Sequence, residues 1–213
     1  DDYNGVIYRV SYGEGNADAN APATATALGT VTGLKMPESS IAHPDGRIFV
    51  TEIGEFGKSG DGKVTVINAN GSKSTLADGL NDPKGIDMFN NQLYVADMDQ
   101  VVRIDLQGNK TVIAKPSDFQ SKPVFLNDIE IDGSGNVYVS DSGEDNGKHA
   151  AIYKITSQGQ VVQLISDKSG IKRPNGLLMD GPNALLVADF GTGKLFRIDY
   201  SEQDGKVKSN LTL

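Results

Sequence analysis

The sequence predicts an all-β fold, a β-propeller of four-stranded antiparallel blades, and three observations carry that expectation. A loosely repeated segment begins at residues 37, 83, 126 and 174, at spacings of 46, 43 and 48 residues. Each copy holds four short runs rich in Val, Ile, Leu, Tyr or Phe, the side chains that suit a pleated surface. No amphipathic helical pattern of useful length interrupts them: the best candidate, ADANAPATATALG, lacks charges on one face and is broken by Pro22. A repeat of this period is a unit that buries its apolar faces only against its neighbours. Blades closed into a ring leave only short, protected edges, whereas one large sandwich gives no reason for four copies of one pattern.

The elements follow in chain order. GVIYRV (Gly5 to Val10) and ATALGTV (Ala25 to Val31) match the third and fourth strands of the later copies, so residues 1–36 read as outer strands of a closing blade. Full blades are expected over 37–82, 83–125, 126–173 and 174–213, all within one domain spanning 1–213. Each opens on a tripeptide (PES, PKG, LND, PNG), and the first strand follows it, as in Ile86 to Met88, Ile129 to Ile131 and Leu177 to Met179. The clusters HPDG, FNN, DGSG and DGPN are turns, supplying positive φ or a local side-chain cap. Second strands RIFVTE, QLYVAD, NVYVSD and ALLVAD end on Glu52, Asp97, Asp141 and Asp189. Third strands KVTVIN, VVRID, AIYKIT and KLFRID show the period-2 alternation of half-buried strands, and KSTLAD, KTVIAK, QVVQLIS and KVKSNLTL are more polar fourth strands.

Composition narrows the function. The formal net charge is −8 with no basic stripe, which disfavours nucleic acid and anionic membrane and suits cations or uncharged ligands. Cysteine is absent, so there is no disulfide framework, thiolate metal site or cysteine nucleophile. A secreted or periplasmic location is the expectation, with DDYNG a start left by processing. Several short motifs carry nothing: DFG at 189–191 lacks a companion catalytic loop, GKS at 57–59 lacks the earlier glycine of a phosphate loop, and DSGEDNGK misses calcium-loop spacing. The two histidines, His43 and His149, are too few for a three-histidine zinc site.

In a propeller the loops entering the first strand share a face with the loops joining the second and third. The second residue of each opening tripeptide therefore rings the mouth of the central channel: Glu38, Lys84, Asn127 and Asn175. Converging carboxylate and amide oxygens are what a hard cation such as calcium takes. The alternative for Asn127 and Asn175 is turn chemistry, with each side chain bonding its own backbone. A lysine at position 84 is expected to be solvated, or else to pair with Glu38 or contact a substrate oxygen.

PE at Glu38, LND at Asn127 and PNG at Asn175, in that order, resemble the gluconolactonase/regucalcin family of six-bladed lactone hydrolases. The resemblance implies four full blades and an N-terminal half-blade here, with C-terminal blades beyond Leu213. It implies Glu38 and Asn175 as ligands of a divalent metal, calcium foremost, joined at the ring by Asn127. It also implies a substrate-facing role for Asn127 with Asp128 beside it, while Lys84 is a candidate substrate contact from its place on the ring alone. Metal-assisted hydrolysis of a small lactone or ester would then use Glu38 as the carboxylate, with Asp128 as a substitute. The family's further Asp falls beyond Leu213, and Phe125 stands where some members carry Arg, which favours a more apolar lactone or ester. The alternative from a different class is a non-catalytic propeller that binds a small ligand or a protein through the same face.

Overall fold

The computed structural model describes residues 7–11, 26–201 and 207–212. The first blade comprises β3 (Pro37–Ala42), β4 (Ile48–Glu52), β5 (Gly62–Ile67) and β6 (Lys73–Leu80), after the pair β1 (Ile7–Ser11) and β2 (Thr26–Val31). The second holds β7 (Pro83–Phe89), β8 (Gln92–Asp97), β9 (Gln100–Asp105) and β10 (Lys110–Ala114). The third holds β11 (Leu126–Ile131), β12 (Val137–Asp141), β13 (Ala151–Ile155) and β14 (Val161–Ile165). The fourth holds β15 (Pro174–Met179), β16 (Ala184–Asp189), β17 (Lys194–Tyr200) and β18 (Val207–Thr212). Each sheet is an antiparallel meander in chain order, so the fold is an all-β propeller of four-stranded blades. Among the described residues the only helical turns are two 3-10 segments, Pro116–Asp118 and Asp167–Ser169, leading into β11 and β15.

The pair β1 and β2 forms a two-stranded sheet with Ile7 opposite Val31 and Tyr8 opposite Thr30. Gly5, Val6 and Ala25 of the expected runs lie outside the described residues, as does most of ADANAPATATALG. No helix among the described residues is long and apolar enough to cross a membrane.

Two details differ from the reading of the sequence. The third strands alternate as expected only in part: β17 alternates buried with less buried residues, whereas every residue of β13 is buried, and in the second strand β4 the neighbours Phe49 and Val50 both have no exposure. Where blades stack on both faces, as around β13 and β4, a strand is covered on both sides and alternation is lost. Phe49, Val64 and Val66 pack with Leu93, Val95 and Ile104 of the second blade, while Val50 joins Leu34 and Ile67 on the other face. Comparable cores fill the next two gaps, around Phe119 and Tyr153, then around Tyr138 and Tyr200. Secondly, the inner strands begin at the opening tripeptide itself. Each carries an irregularity in register there, between Pro37 and Ser40, Pro83 and Ile86, Leu126 and Ile129, and Pro174 and Leu177. The extra residue of such a bulge re-aims side chains at the strand end.

Local chemistry accounts for the turns. FNN joins β7 to β8 with Phe89 opposite Gln92, leaving Asn90 and Asn91 as a two-residue loop at φ of 49° and 59°. Positive φ at both positions is what a type I′ hairpin needs, and Asn tolerates it.

The acid that ends each second strand is structural. Its carboxylate accepts hydrogen bonds from backbone N–H groups just before the opening tripeptide of its own blade. Glu52 takes Lys35 at 2.5 Å, Asp97 takes Asn81 at 2.7 Å, Asp141 takes Phe125 at 2.8 Å and Val124 at 3.0 Å, and Asp189 takes Arg173 at 2.6 Å. All four acids are buried. A hydrogen bond to a charged group contributes about 1.5 to 3 kcal/mol, so one repeated acid pins the start of each inner strand.

Candidate functional site

Glu38, Lys84, Asn127 and Asn175 each occupy the second position of an inner strand, inside the bulge, and consecutive inner strands pack against one another. Hydroxyl groups one residue before the strand-ending acids join the blades at this level. Thr51 Oγ1 accepts from the Ser39 N–H at 3.0 Å and donates to the Lys84 carbonyl at 2.7 Å. Ser140 Oγ does the same in the third blade, accepting from Asp128 N–H at 2.9 Å and donating to the Asn175 carbonyl at 2.8 Å. The second blade has Ala96 at this position, and there the backbones close up instead. A methyl group on Gly85 would lie 2.6 Å from Asp128 Cα and 2.8 Å from the Asn127 carbonyl oxygen.

Lys84 is buried, with 3% of its surface exposed, which corrects the expectation of a solvated lysine. Its Nζ lies 4.2 Å from the centre of the Phe125 ring and 5.6 Å from that of Phe56, and donates to the Asp82 carbonyl at 3.2 Å. The two rings are 6.0 Å apart. Aromatic faces attract a cation and exclude water, so the ammonium is held without full hydration. Burial pushes it below its ordinary pKa, and the carboxylates of Asp82, Glu38 and Asp97 oppose that shift. Glu38 and Lys84 thus share one electrostatic environment at the mouth.

Asn127 is buried, and its amide orientation is fixed by a relay. Ser142 Oγ donates to the Pro174 carbonyl at 2.7 Å, so it can only accept from Asn127 Nδ2 at 3.0 Å. The Asn127 Oδ1 is therefore the end of the amide turned away from Ser142. Asp128 reaches the next blade: its Oδ2 accepts from the Leu177 N–H at 2.7 Å. Glu130 repeats this toward Met179 at 3.0 Å, and Asp87 toward Ile131 at 2.8 Å. Burial raises the pKa of all three carboxyls, and the Asp87 charge adds to the rise at Asp128 and Glu130. Asp128 thus stands beside Asn127 while clasping the strand that carries Asn175.

Asn175 is exposed and lines an open cleft of about 600 Å³ with Ala188, Phe190, Lys194 and Leu195. Phe190 is 76% exposed and its ring lies 5.8 Å from the Arg173 guanidinium carbon. Phe56 and Phe190 escaped the sequence reading as site residues. The signal was present in DFG, where the middle residue of a discarded motif projects beside the site, and in the Gly-rich loop holding Phe56. The loop DSGEDNGK is tied down by a hydrogen bond between Glu144 and His149 at 2.9 Å and by an ion pair of Asp145 with Arg173 at 2.5 Å.

The fold is a propeller, and the second-position residues of its inner strands are its candidate site. Residues 86–213, more than half of the chain, match the SMP-30/Gluconolactonase/LRE-like region, and the protein belongs to that family. No curated protein matches the sequence. Among solved structures, a gluconolactonase from Xanthomonas campestris aligns over 84% of this chain and 62% of its own length, with TM-score 0.68 and 14% identity. A virginiamycin B lyase from Staphylococcus aureus aligns over 100% of this chain and 71% of its own, with TM-score 0.66 and 15% identity. A calcium-binding protein, regucalcin from Agrobacterium tumefaciens, aligns over 71% and 52%, with TM-score 0.54 and 18% identity. At these identities the likeness concerns the fold, and the chain spans less than two thirds of the gluconolactonase.

Proposed function

We propose that the protein hydrolyses a lactone or related ester at the mouth of the propeller axis, with a divalent cation, calcium foremost, held by Glu38, Asn127 and Asn175. The observation that carries this reading is the fixed Asn127 amide, whose donor end is committed to Ser142 and whose oxygen is turned away from it. One carboxylate and two amide oxygens are a donor set for a hard cation. Family membership and the printed names of a gluconolactonase and a calcium-binding neighbour support the hydrolase class and the choice of calcium.

A cation bound there supplies polarisation of the substrate carbonyl. Asp128, whose pKa burial raises, takes a proton from water as it attacks the carbonyl carbon and returns it to the alkoxide released when the acyl C–O bond breaks. Its bond to the Leu177 N–H keeps it facing the strand of Asn175. Glu38 combines ligation with a charge that balances Lys84, and Lys84 acts on substrate oxygens through its field from beneath the two Phe rings. A panel of lactones and aryl esters, assayed with chelator and again after restoring calcium, tests the proposal. Chelator-sensitive hydrolysis of at least one lactone is expected. Absence of turnover on every substrate would leave the non-catalytic binding propeller in its place.

A further inference from the structure

The repeat sets equivalent residues against each other in every gap between neighbouring blades. The earlier blade presents a second-strand residue and the third-strand residue paired with it: Phe49 with Val66, Tyr94 with Arg103, Tyr138 with Lys154. The later blade answers with the residue two places after the isoleucine near the end of its third strand, which is Leu106, Ser157 or Tyr200. Leu106 packs into the core between the first two blades. Tyr200 is buried between the third and fourth, its ring centre 5.6 Å from that of Tyr138. Ser157 is too small for this task and is exposed. The gap between the second and third blades, both described in full, consequently holds a cavity of about 250 Å³ lined by Tyr94, Arg103, Ile113, Val137, Ile155 and the turn 156–159.

The polar groups of this cavity are also the ones left without partners. In the next gap Tyr138 donates to Asp132 at 3.0 Å and accepts from Tyr200 at 2.8 Å, and Lys154 Nζ lies 5.4 and 5.7 Å from the two ring centres. Tyr94 and Arg103 are half-buried, yet neither the phenol hydroxyl nor the guanidinium bonds or pairs with any described residue. Asp105, two residues beyond Arg103, is committed to its own turn, where it accepts from the Gln107 and Asn109 N–H groups and from Asn109 Nδ2. Among the described residues no carboxylate lines the cavity, in a chain of net charge −8.

We infer that this gap binds a small aromatic carboxylate, its ring taking beside Tyr94 the place that Tyr200 takes beside Tyr138, and its carboxylate accepting from the Arg103 guanidinium and the Tyr94 hydroxyl. The room suits one ring with one charged group, since an apolar cavity of about 150 Å³ holds benzene. A guanidinium fork matches a carboxylate in two parallel hydrogen bonds, and Ile113, Val137 and Ile155 give the ring apolar contact. The turns that rim the cavity join first to second and third to fourth strands, so the site lies on the face opposite the mouth and does not depend on the hydrolase reading.

Benzoate is the probe, titrated calorimetrically into the whole chain, and saturable one-to-one binding is expected. Acetate, which lacks the ring, and benzyl alcohol, which lacks the charge, should each bind at least about tenfold more weakly. Ser157→Tyr supplies the ring from the chain itself, as Tyr200 does in the next gap, and should abolish benzoate binding without lowering the melting temperature. Arg103→Met keeps the bulk of the stem and removes the charge. It should weaken benzoate at least about tenfold while leaving benzyl alcohol unchanged, and it decides the matter should Ser157→Tyr fail to fold. Absence of saturable benzoate binding, equal affinity for acetate, or undiminished binding in either folded variant would overturn the inference.

Discussion

Lys84 Nζ lies 4.2 Å from the centre of the Phe125 ring, which places a buried ammonium of one blade beneath an aromatic ring that opens the next. The pairing joins the two blades at the level of the candidate site and explains why a lysine at that ring position is not out in water. Burial lowers its pKa, so the charge is held at a desolvation cost. Lys84→Met keeps the bulk against both rings and removes that cost. Melting should show a change in stability within about 1 kcal/mol, while KM for the substrate rises because its oxygens lose a positive field. A loss of several kcal/mol would show that the ammonium is structural first.

Ser140 serves two blades at once, so Ser140→Ala should do more than weaken packing. It leaves the Asp128 N–H and the Asn175 carbonyl without their partner. About 2 kcal/mol of stability should be lost in denaturant unfolding. A fall in kcat should accompany it, because both residues belong to the proposed site. Thr51→Val removes the matching bridge between the first two blades and should cost a similar amount.

Gly85 is required by close approach rather than by its dihedral angles. Its added methyl would meet Asp128 Cα at 2.6 Å and the Ile129 nitrogen at 2.7 Å, both backbone atoms of the third blade. Gly85→Ala should destabilise by about 1 to 3 kcal/mol or more, measured by chemical denaturation. An unchanged midpoint would mean that the blades separate easily here.

Asp87 links folding to pH. Its native pKa is raised above 3.8 by burial, although backbone N–H groups of Met88 and Ile131 pull it down. The native state therefore binds this proton more tightly than the unfolded chain. Its contribution is greatest below the ordinary carboxylate pKa and is lost as pH rises through the native value. Asp87→Asn cannot ionise, so its stability should decline less than the parent's between about pH 3 and the upper end of that titration. Melting temperatures across that range check the difference in slope. Parallel curves would contradict it.

The propeller was legible because the blade is a repeat whose parts can be aligned. RIFVTE, QLYVAD, NVYVSD and ALLVAD fall on β4, β8, β12 and β16, and FNN forms the hairpin its asparagines suit. What the terminal acids do was not legible. Glu52, Asp97, Asp141 and Asp189 bond backbone N–H groups 15 or more residues earlier, and no local pattern reports a backbone donor. For the candidate site, equivalence of position put Glu38, Lys84, Asn127 and Asn175 at the same step of successive inner strands, since a repeat puts equivalent residues at equivalent places. The burial of Lys84 escaped that reasoning because it depends on Phe56 of the first blade and on Phe125, which leads into β11 about 40 residues later. The bond from Asp128 to Leu177 escaped it for the same reason, as partner choice across a blade interface leaves no trace in spacing.

Glu38→Gln tests the central claim most directly, since it preserves size and one acceptor oxygen while removing the charge proposed to hold the cation. The measurement is calcium-dependent lactone hydrolysis by the folded variant beside the parent protein, with circular dichroism and melting temperature verifying the fold. Hydrolysis should fall to background and calcium affinity by at least about tenfold, one opposite charge at the site accounting for 1.4 kcal/mol or more. Hydrolysis that survives at the parent's rate, with calcium affinity unchanged, would contradict the account and remove Glu38 from the site.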